Sequence, residues 1–198
     1  MANNTRKYLG DITPRISSAS VNITSSSYST SYGTFYDWYA FNGVSPNSYR
    51  DPQGNCWQGN GTNQWIQYQF NEPRYFTELE LKCFSNYSGD WIGNIKVEGS
   101  NDGTNFENIL TNEATTQQIT AELAPTSEGG SGQESDIHIL LDDTKMWSYI
   151  RVTFIENMIV PYNPSCYLDE MYVYGGKEVS NVVKRYYFGA SGILREIE

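Results

Sequence analysis

The strongest constraint on the fold is a series of short runs in which apolar and polar residues alternate. "WIQYQF" (65–70) sets Ile66, Tyr68 and Phe70 on one face against Trp65, Gln67 and Gln69 on the other, and "TELELKCF" (77–84) sets Leu79, Leu81 and Cys83 against Glu78, Glu80 and Lys82. "NIKVEGS" (94–100) continues the pattern with Ile95 and Val97, and "YIRVTFI" (149–155) opposes Ile150, Val152 and Phe154 to Tyr149, Arg151 and Thr153. "LDEMYVYG" (168–175) closes the series with Met171 and Val173 on one side. Neighbouring side chains on a strand point to opposite faces, so each run predicts a strand with one buried face. No stretch holds a helical period for longer than about two turns. Short strands without helices predict an antiparallel two-sheet sandwich, and periodicity takes the argument no further.

The connections carry their own signals. Asp102-Gly103 in "SNDGTNF" sits between strand-like flanks and predicts a hairpin, because glycine accepts a positive φ. "NEPR" (71–74) reads as a tight exit containing proline, and 111–136 reads largely as a long surface loop with room for one weak strand. Residues 1–15 read as an arm.

Charge and composition exclude several classes. A formal net charge of −10 opposes binding to nucleic acid or to an anionic membrane surface. No apolar run approaches the roughly 18–20 residues of a membrane-spanning helix. "MANNTRKYLGD" lacks the apolar core of a secretory signal, and the odd set Cys56, Cys83 and Cys166 contains no CxxC pair. Both point to a reducing, cytoplasmic place of synthesis. At 198 residues the chain suits one domain with a small appendage.

Catalytic constellations are lacking. Neither HExxH nor GxSxG occurs, and the single histidine, His138, reads as a structural strand residue rather than a general base. Asp142-Asp143 and Asp169-Glu170 are adjacent, and neighbours in a strand point apart, so neither pair makes a glycosidase couple by itself. The chain is expected not to be an enzyme and to have no catalytic residues.

Recognition chemistry is better represented. The sequence contains 16 tyrosines, whose rings pack while their hydroxyls stay wet. Sugars call for aromatic platforms beside planar polar groups, and three inter-strand segments offer them: Tyr49, Arg50 and Asp51; Asn86, Tyr87, Asp90 and Trp91; and Tyr162 and Asn163. The same aromatics also suit lids over the sandwich edge, and the Tyr-rich "SYSTSYGTFYDWY" stretch suits a protein-protein surface equally well.

Four segments, in order, resemble a discoidin domain, the coagulation-factor type C, galactose-binding-like family. "YDWYAFNG" (36–43) resembles its Ala-Phe-Asp-Gly segment, and "CWQGNGTNQWIQYQFNEPRYFTELEL" its Trp-containing stretch followed by Trp-Ile-Gln-Val-Asp-Leu. "IKVEGSNDGTNFENI" resembles its Ser-Asn-Asp-Gly hairpin, with Phe106 in place of Trp, and "YIRVTF" with "LDEMYVYG" its closing strand pair. The resemblance spans about 16–176 and implies an all-β antiparallel jelly-roll sandwich with binding loops at one end. It implies a non-catalytic recognition module, and a structural Ca²⁺ held at Asn42, Asp51 and Glu170. Here Asn42 stands where the family has Asp, and the following loop is long, which weakens such a site; a turn held by side-chain hydrogen bonds is the alternative. The disulfide that joins the ends of many discoidin domains has no cysteines to make it.

Residues 177–198 add a basic, aromatic tail. "VVKRYYF" and "ILREI" flank a Gly-Ala-Ser-Gly turn and predict a hairpin, in which Lys184, Arg185, Tyr186, Tyr187 and Phe188 form an assembly surface. Two strands alone are marginal in water, so the hairpin needs a surface to dock on. The segment resembles tags that end many phage tail and structural proteins. The expectation is a phage virion protein, a capsid or tail decoration or a fibre component, assembled in the host cytoplasm and docked or homo-oligomeric. Its partners would be host-surface glycan and other virion proteins. A purely structural cementing protein, or a carbohydrate-binding module of a larger glycoside hydrolase, are the alternatives.

Overall fold

The structure, a computed structural model, describes residues 3–28, 30, 35–44, 56–85, 92–111, 116–118, 133–157, 166–181, 185–188 and 194–197. In chain order the strands are β1 (Asn3–Asp11), β2 (Ile23–Ser25), β3 (Trp57–Gly59), β4 (Gln64–Ser85), β5 (Ile92–Ser100), β6 (Glu107–Asn108), β7 (Gln117–Gln118) and β8 (Gln133–Leu140). They continue with β9 (Trp147–Asn157), β10 (Cys166–Leu168), β11 (Glu170–Asn181), β12 (Arg185–Phe188) and β13 (Leu194–Ile197). A 3-10 turn at Asp37–Phe41 is the helical element among the described residues, and none of their helices is long and apolar enough to cross a membrane.

β4 organises the rest. Its first part pairs antiparallel with β2 and β9, through Ile66↔Val152 and Tyr68↔Ile150, while β9 also pairs with β5. Its second part pairs with β8 and β11, through Leu79↔Ile139 and Leu81↔Met171. One strand thus belongs to both layers of the sandwich. The inward residues of the two layers, Ile66, Tyr68 and Phe70 from one and Leu79, Leu81, Ile137 and Val173 from the other, meet in one core with Phe41 and Trp57. Truncating such a residue to alanine costs about 2–5 kcal/mol. The antiparallel all-β sandwich expected from the alternating runs is what the chain forms.

Two expected boundaries are not there. "NEPR" does not end a strand: β4 runs unbroken for 22 residues, and the register with β9 shifts between Gln69 and Arg74. Pro73 lies in that shift, where β4 leaves one layer for the other, so its missing N–H breaks no regular ladder. Gly175-Gly176 does not close the last strand either. β11 continues to Asn181, and the expected arm is its partner strand, with Arg6↔Glu178 and Asn3↔Asn181. The glycines are required by close approach: a Cβ on Gly175 would lie 1.9 Å from the Tyr75 carbonyl oxygen, and one on Gly176 2.3 Å from that of Lys7.

The polar face of β4 and β9 is covered rather than open. Arg151 lies between two aromatic rings, 4.3 Å from the Trp65 centroid and 3.7 Å from that of Phe106. Its Nε and Nη2 donate to Gln67 Oε1 at 3.0 and 2.7 Å. The expected Asp102-Gly103 turn joins β5 to β6, with Gly103 at φ 72°. Asp102 accepts from the backbone N–H groups of Thr104 and Asn105 and from the Asn105 side chain, which holds its carboxyl well below the usual range. In the 111–136 region β7 is the weak strand, and the strand β8 already begins at Gln133. The tail forms the hairpin β12–β13, antiparallel from Arg185↔Ile197 to Phe188↔Leu194; Lys184 lies outside the described residues.

Candidate functional site

The candidate sugar contacts Tyr49, Arg50, Asp51, Asn86, Tyr87, Asp90, Trp91, Tyr162 and Asn163 all lie outside the described residues. The strands that bound their segments are described. β4 ends at Ser85 before 86–91, and Ile92, which follows, pairs with Asn157, the residue that precedes 158–165. Two of the three segments therefore leave the sandwich from adjoining strand ends.

At the same end the structure builds an aromatic cluster outside the three candidate sugar-binding segments. Ala40 and Phe41 anchor the 3-10 turn in the core and Trp38 packs partly buried against it, which leaves Tyr36 exposed and Tyr39 half-buried on the outer side. Trp38 and Tyr39 lie 4.2 Å apart, Tyr36 and Trp38 stack at 6.5 Å, and Tyr28 meets Tyr36 edge-on at 5.2 Å. Tyr28 is 44% and Tyr36 37% exposed, so the cluster presents ring surface to solvent. Ser26 Oγ and Ser27 Oγ donate to Gln64 Oε1, and Asn60 Nδ2 donates to the Tyr28 carbonyl, which ties the cluster to the start of β4. Asp37 accepts from Trp38 N–H at 2.9 Å and from Ser25 Oγ at 3.3 Å, while burial pushes its carboxyl up. Partly exposed rings beside hydroxyls and a carboxyl suit an amphipathic ligand with an apolar face and polar edges. The signal was present in "SYSTSYGTFYDWY", but that stretch has no strand period to show which rings turn outward.

Beside this cluster lies the expected calcium position. Glu170 is fully buried, and its Oε1 accepts from Val44 N–H at 2.8 Å. Asn42 Oδ1 accepts from the same N–H at 2.7 Å, so the two side-chain oxygens converge on one donor and hold the turn by side-chain hydrogen bonds. Gly43, at φ 74°, makes the bend between them. Burial pushes the Glu170 carboxyl up to about 7, against the Val44 and Gly43 N–H groups and the charges of Arg15 and Lys82. Glu170 Oε2 is buried without a hydrogen-bond partner. A buried orphaned carboxylate oxygen beside an amide oxygen is donor chemistry that fits a hard cation. The described residues contain no cluster of three or more His, Cys, Asp or Glu able to hold a metal, and Asp51 lies outside them.

The remaining titratable groups make structural contacts. His138 faces outward and its Nδ1 lies 2.6 Å from Glu78 Oε1. Asp143 pairs with Arg6 at 3.0 Å, and Asp142 accepts from Thr144 N–H at 2.9 Å. Asp169 and Glu170 are both buried, rather than split between two faces, because Asp169 occupies the bend between β10 and β11.

Comparison with known proteins fits this geometry. The family model of the F5/8 type C domain matches residues 22–163. CBM32-3 of a family 31 glycoside hydrolase from Clostridium perfringens superposes with a TM-score of 0.53 at 14% identity, covering 78% of this chain and 91% of that one. A Streptococcus pneumoniae fucose binding module gives 0.54 at 13% identity, covering 84% and 98%. The C-terminal domain of a Bacteroides fragilis chitobiase gives 0.52 at 15% identity, covering 86% and 99%. No curated protein matches the chain.

Proposed function

The chain belongs to the F5/8 type C domain family, and from that premise we propose that it is a non-catalytic glycan-recognition protein carried on a phage particle. The observation that carries the glycan reading is the partly exposed cluster of Tyr28, Tyr36, Trp38 and Tyr39 at the loop end of the sandwich, with Tyr28 and Tyr36 open to solvent. Ring faces take the C–H face of a sugar, and the neighbouring Ser25, Asp37 and Gln64 take its hydroxyls. Tyr49, Arg50, Trp91 and Tyr162, in segments outside the described residues, are proposed as further contacts. One structure of similar fold is a fucose binding module, which makes fucosylated host-surface glycans the first to test.

Ca²⁺ bound by Glu170 and Asn42, with Asp51 from the following segment, would fix the 42–44 turn beneath the aromatic cluster. The ion supplies charge compensation and turn rigidity, with no part in chemistry on the glycan. The virion reading is supported by the tail, whose strands β12 and β13 pair with each other in a sheet separate from the sandwich. A lone two-stranded hairpin needs a surface, and a neighbouring virion subunit provides one.

A glycan array with the purified protein tests recognition: binding of fucosylated glycans, lost in Tyr36→Ala and Trp38→Ala, is expected. Binding of no glycan, with or without Ca²⁺, would overturn the glycan reading. Mass spectrometry of purified particles tests location, and particles lacking this chain would overturn the virion reading.

A further inference from the structure

At the corner of β4, at the opposite end of the sandwich from the loops, the structure holds a second site. A cavity of about 280 Å³ lies between the segment that follows β1 and the corner of β4, lined by Leu9, Asp11, Ile12, Pro14, Tyr68, Phe70, Asn71 and Arg74. That volume is near the lower bound for small-molecule sites and matches one ring with a substituent. Asn71 is seven residues from Gln64, so roughly 20 Å of strand separates the cavity from the aromatic cluster.

The walls differ in chemistry. Tyr68 and Phe70, edge-to-face at 4.8 Å, form an apolar side with Ile12 and Pro14. Asp11 is committed, accepting from Thr13 N–H and Arg15 Nη2 at 2.9 Å each. Arg74 is only half committed. Its side chain is 18% exposed, and Nη2 meets Glu72 Oε1 at 2.7 Å. Nη1 is buried with no hydrogen-bond partner. A buried guanidinium nitrogen without an acceptor is unfavourable, and its planar fork is matched to a carboxylate. Nη1 is shielded from bulk water, so a ligand in the cavity reaches it only if the guanidinium turns about its own stem.

We propose that this corner cavity binds a small organic carboxylate bearing one ring, with the carboxylate on Arg74 and the ring against Phe70 and Ile12. Asn71 at the rim takes a further polar substituent. A sugar acid and an aromatic acid share this chemistry. The proposal is independent of the glycan reading, because no residue of the aromatic cluster lines the cavity.

The test is an NMR titration of the full chain with D-glucuronate and with benzoate, and with D-glucose as the neutral control. The signals followed are Arg74 Nε–H, the Asn71 side-chain amide and the Leu9 and Ile12 methyls. Saturable millimolar shifts with one or both carboxylates, and none with glucose, are expected; the carboxylate that binds identifies the source. Arg74→Gln is expected to weaken binding at least tenfold. Leu9→Trp, at a partly exposed rim position, is expected to block the mouth with the spectrum otherwise intact, and it decides the matter if Arg74→Gln does not fold. Equal shifts with glucose, no shifts with either carboxylate, or unchanged binding in the folded variants would overturn the proposal.

Discussion

The two ends of the sandwich carry opposite versions of the same electrostatic problem. At the loop end a buried carboxylate, Glu170, has an oxygen with no hydrogen-bond partner; at the corner a partly buried guanidinium, Arg74, has one buried nitrogen with none. Each is half satisfied, Glu170 by Val44 N–H and Arg74 by Glu72. Sheets tolerate a buried charge poorly unless it is compensated. The comparison therefore separates the ligand proposed for each end: a cation beside the loops, a carboxylate at the corner.

The largest expected effect breaks the frame that holds the corner. Gly175→Ala would drive a Cβ into the Tyr75 carbonyl and force β11 from β4, so a loss of more than about 4 kcal/mol in urea unfolding is expected. Next is Glu170. In metal-free protein its folded form keeps the proton up to about pH 7, whereas the unfolded chain releases it near 4.5. The folded state thus binds the extra proton across that window, and its stability falls as pH rises from 4.5 to 7, by about 3 kcal/mol. Glu170→Gln should flatten this slope, and Ca²⁺ should raise the melting temperature at pH 7 in the parent but not in the variant.

Smaller effects sharpen the contrast between ends. Trp38→Ala is expected to weaken glycan binding at least tenfold, about 1.4 kcal/mol, while leaving carboxylate shifts at the corner unchanged. Smallest is Asp102, exposed in its turn. Its depressed pKa contributes stability that is present above the unfolded value of 3.8 and lost as pH falls below it. Asp102→Asn should reduce acid sensitivity slightly, read as a small shift in the acid-unfolding midpoint.

The sequence reveals the sandwich more fully than the sites. Ile66, Tyr68, Phe70, Leu79 and Leu81 alternate because one face of β4 is buried, and that pattern needs no partner to be recognised. The same pattern cannot tell one bent strand from two, so "NEPR" resembles an end although it is a corner. Gly175-Gly176 likewise looks like a stop, because the need for close approach to β4 and β1 leaves no local trace. Asn42 and Glu170, far apart in the chain, share the Val44 N–H. The corner cavity was invisible, since Leu9, Ile12 and Arg74 belong to segments far apart in the chain and carry no motif.

A single strand shared by two layers has a kinetic consequence. The sheets cannot peel apart one at a time, because releasing either frees half of β4 while the other half is still held. Amides of Ile66 to Tyr68 and of Leu79 to Leu81 should therefore exchange with solvent as one unit, at the rate set by global opening, while the short strands β2, β6 and β7 exchange faster. The end proposed to meet glycan and the end that holds the cavity are, in that sense, fastened to one mechanical spine.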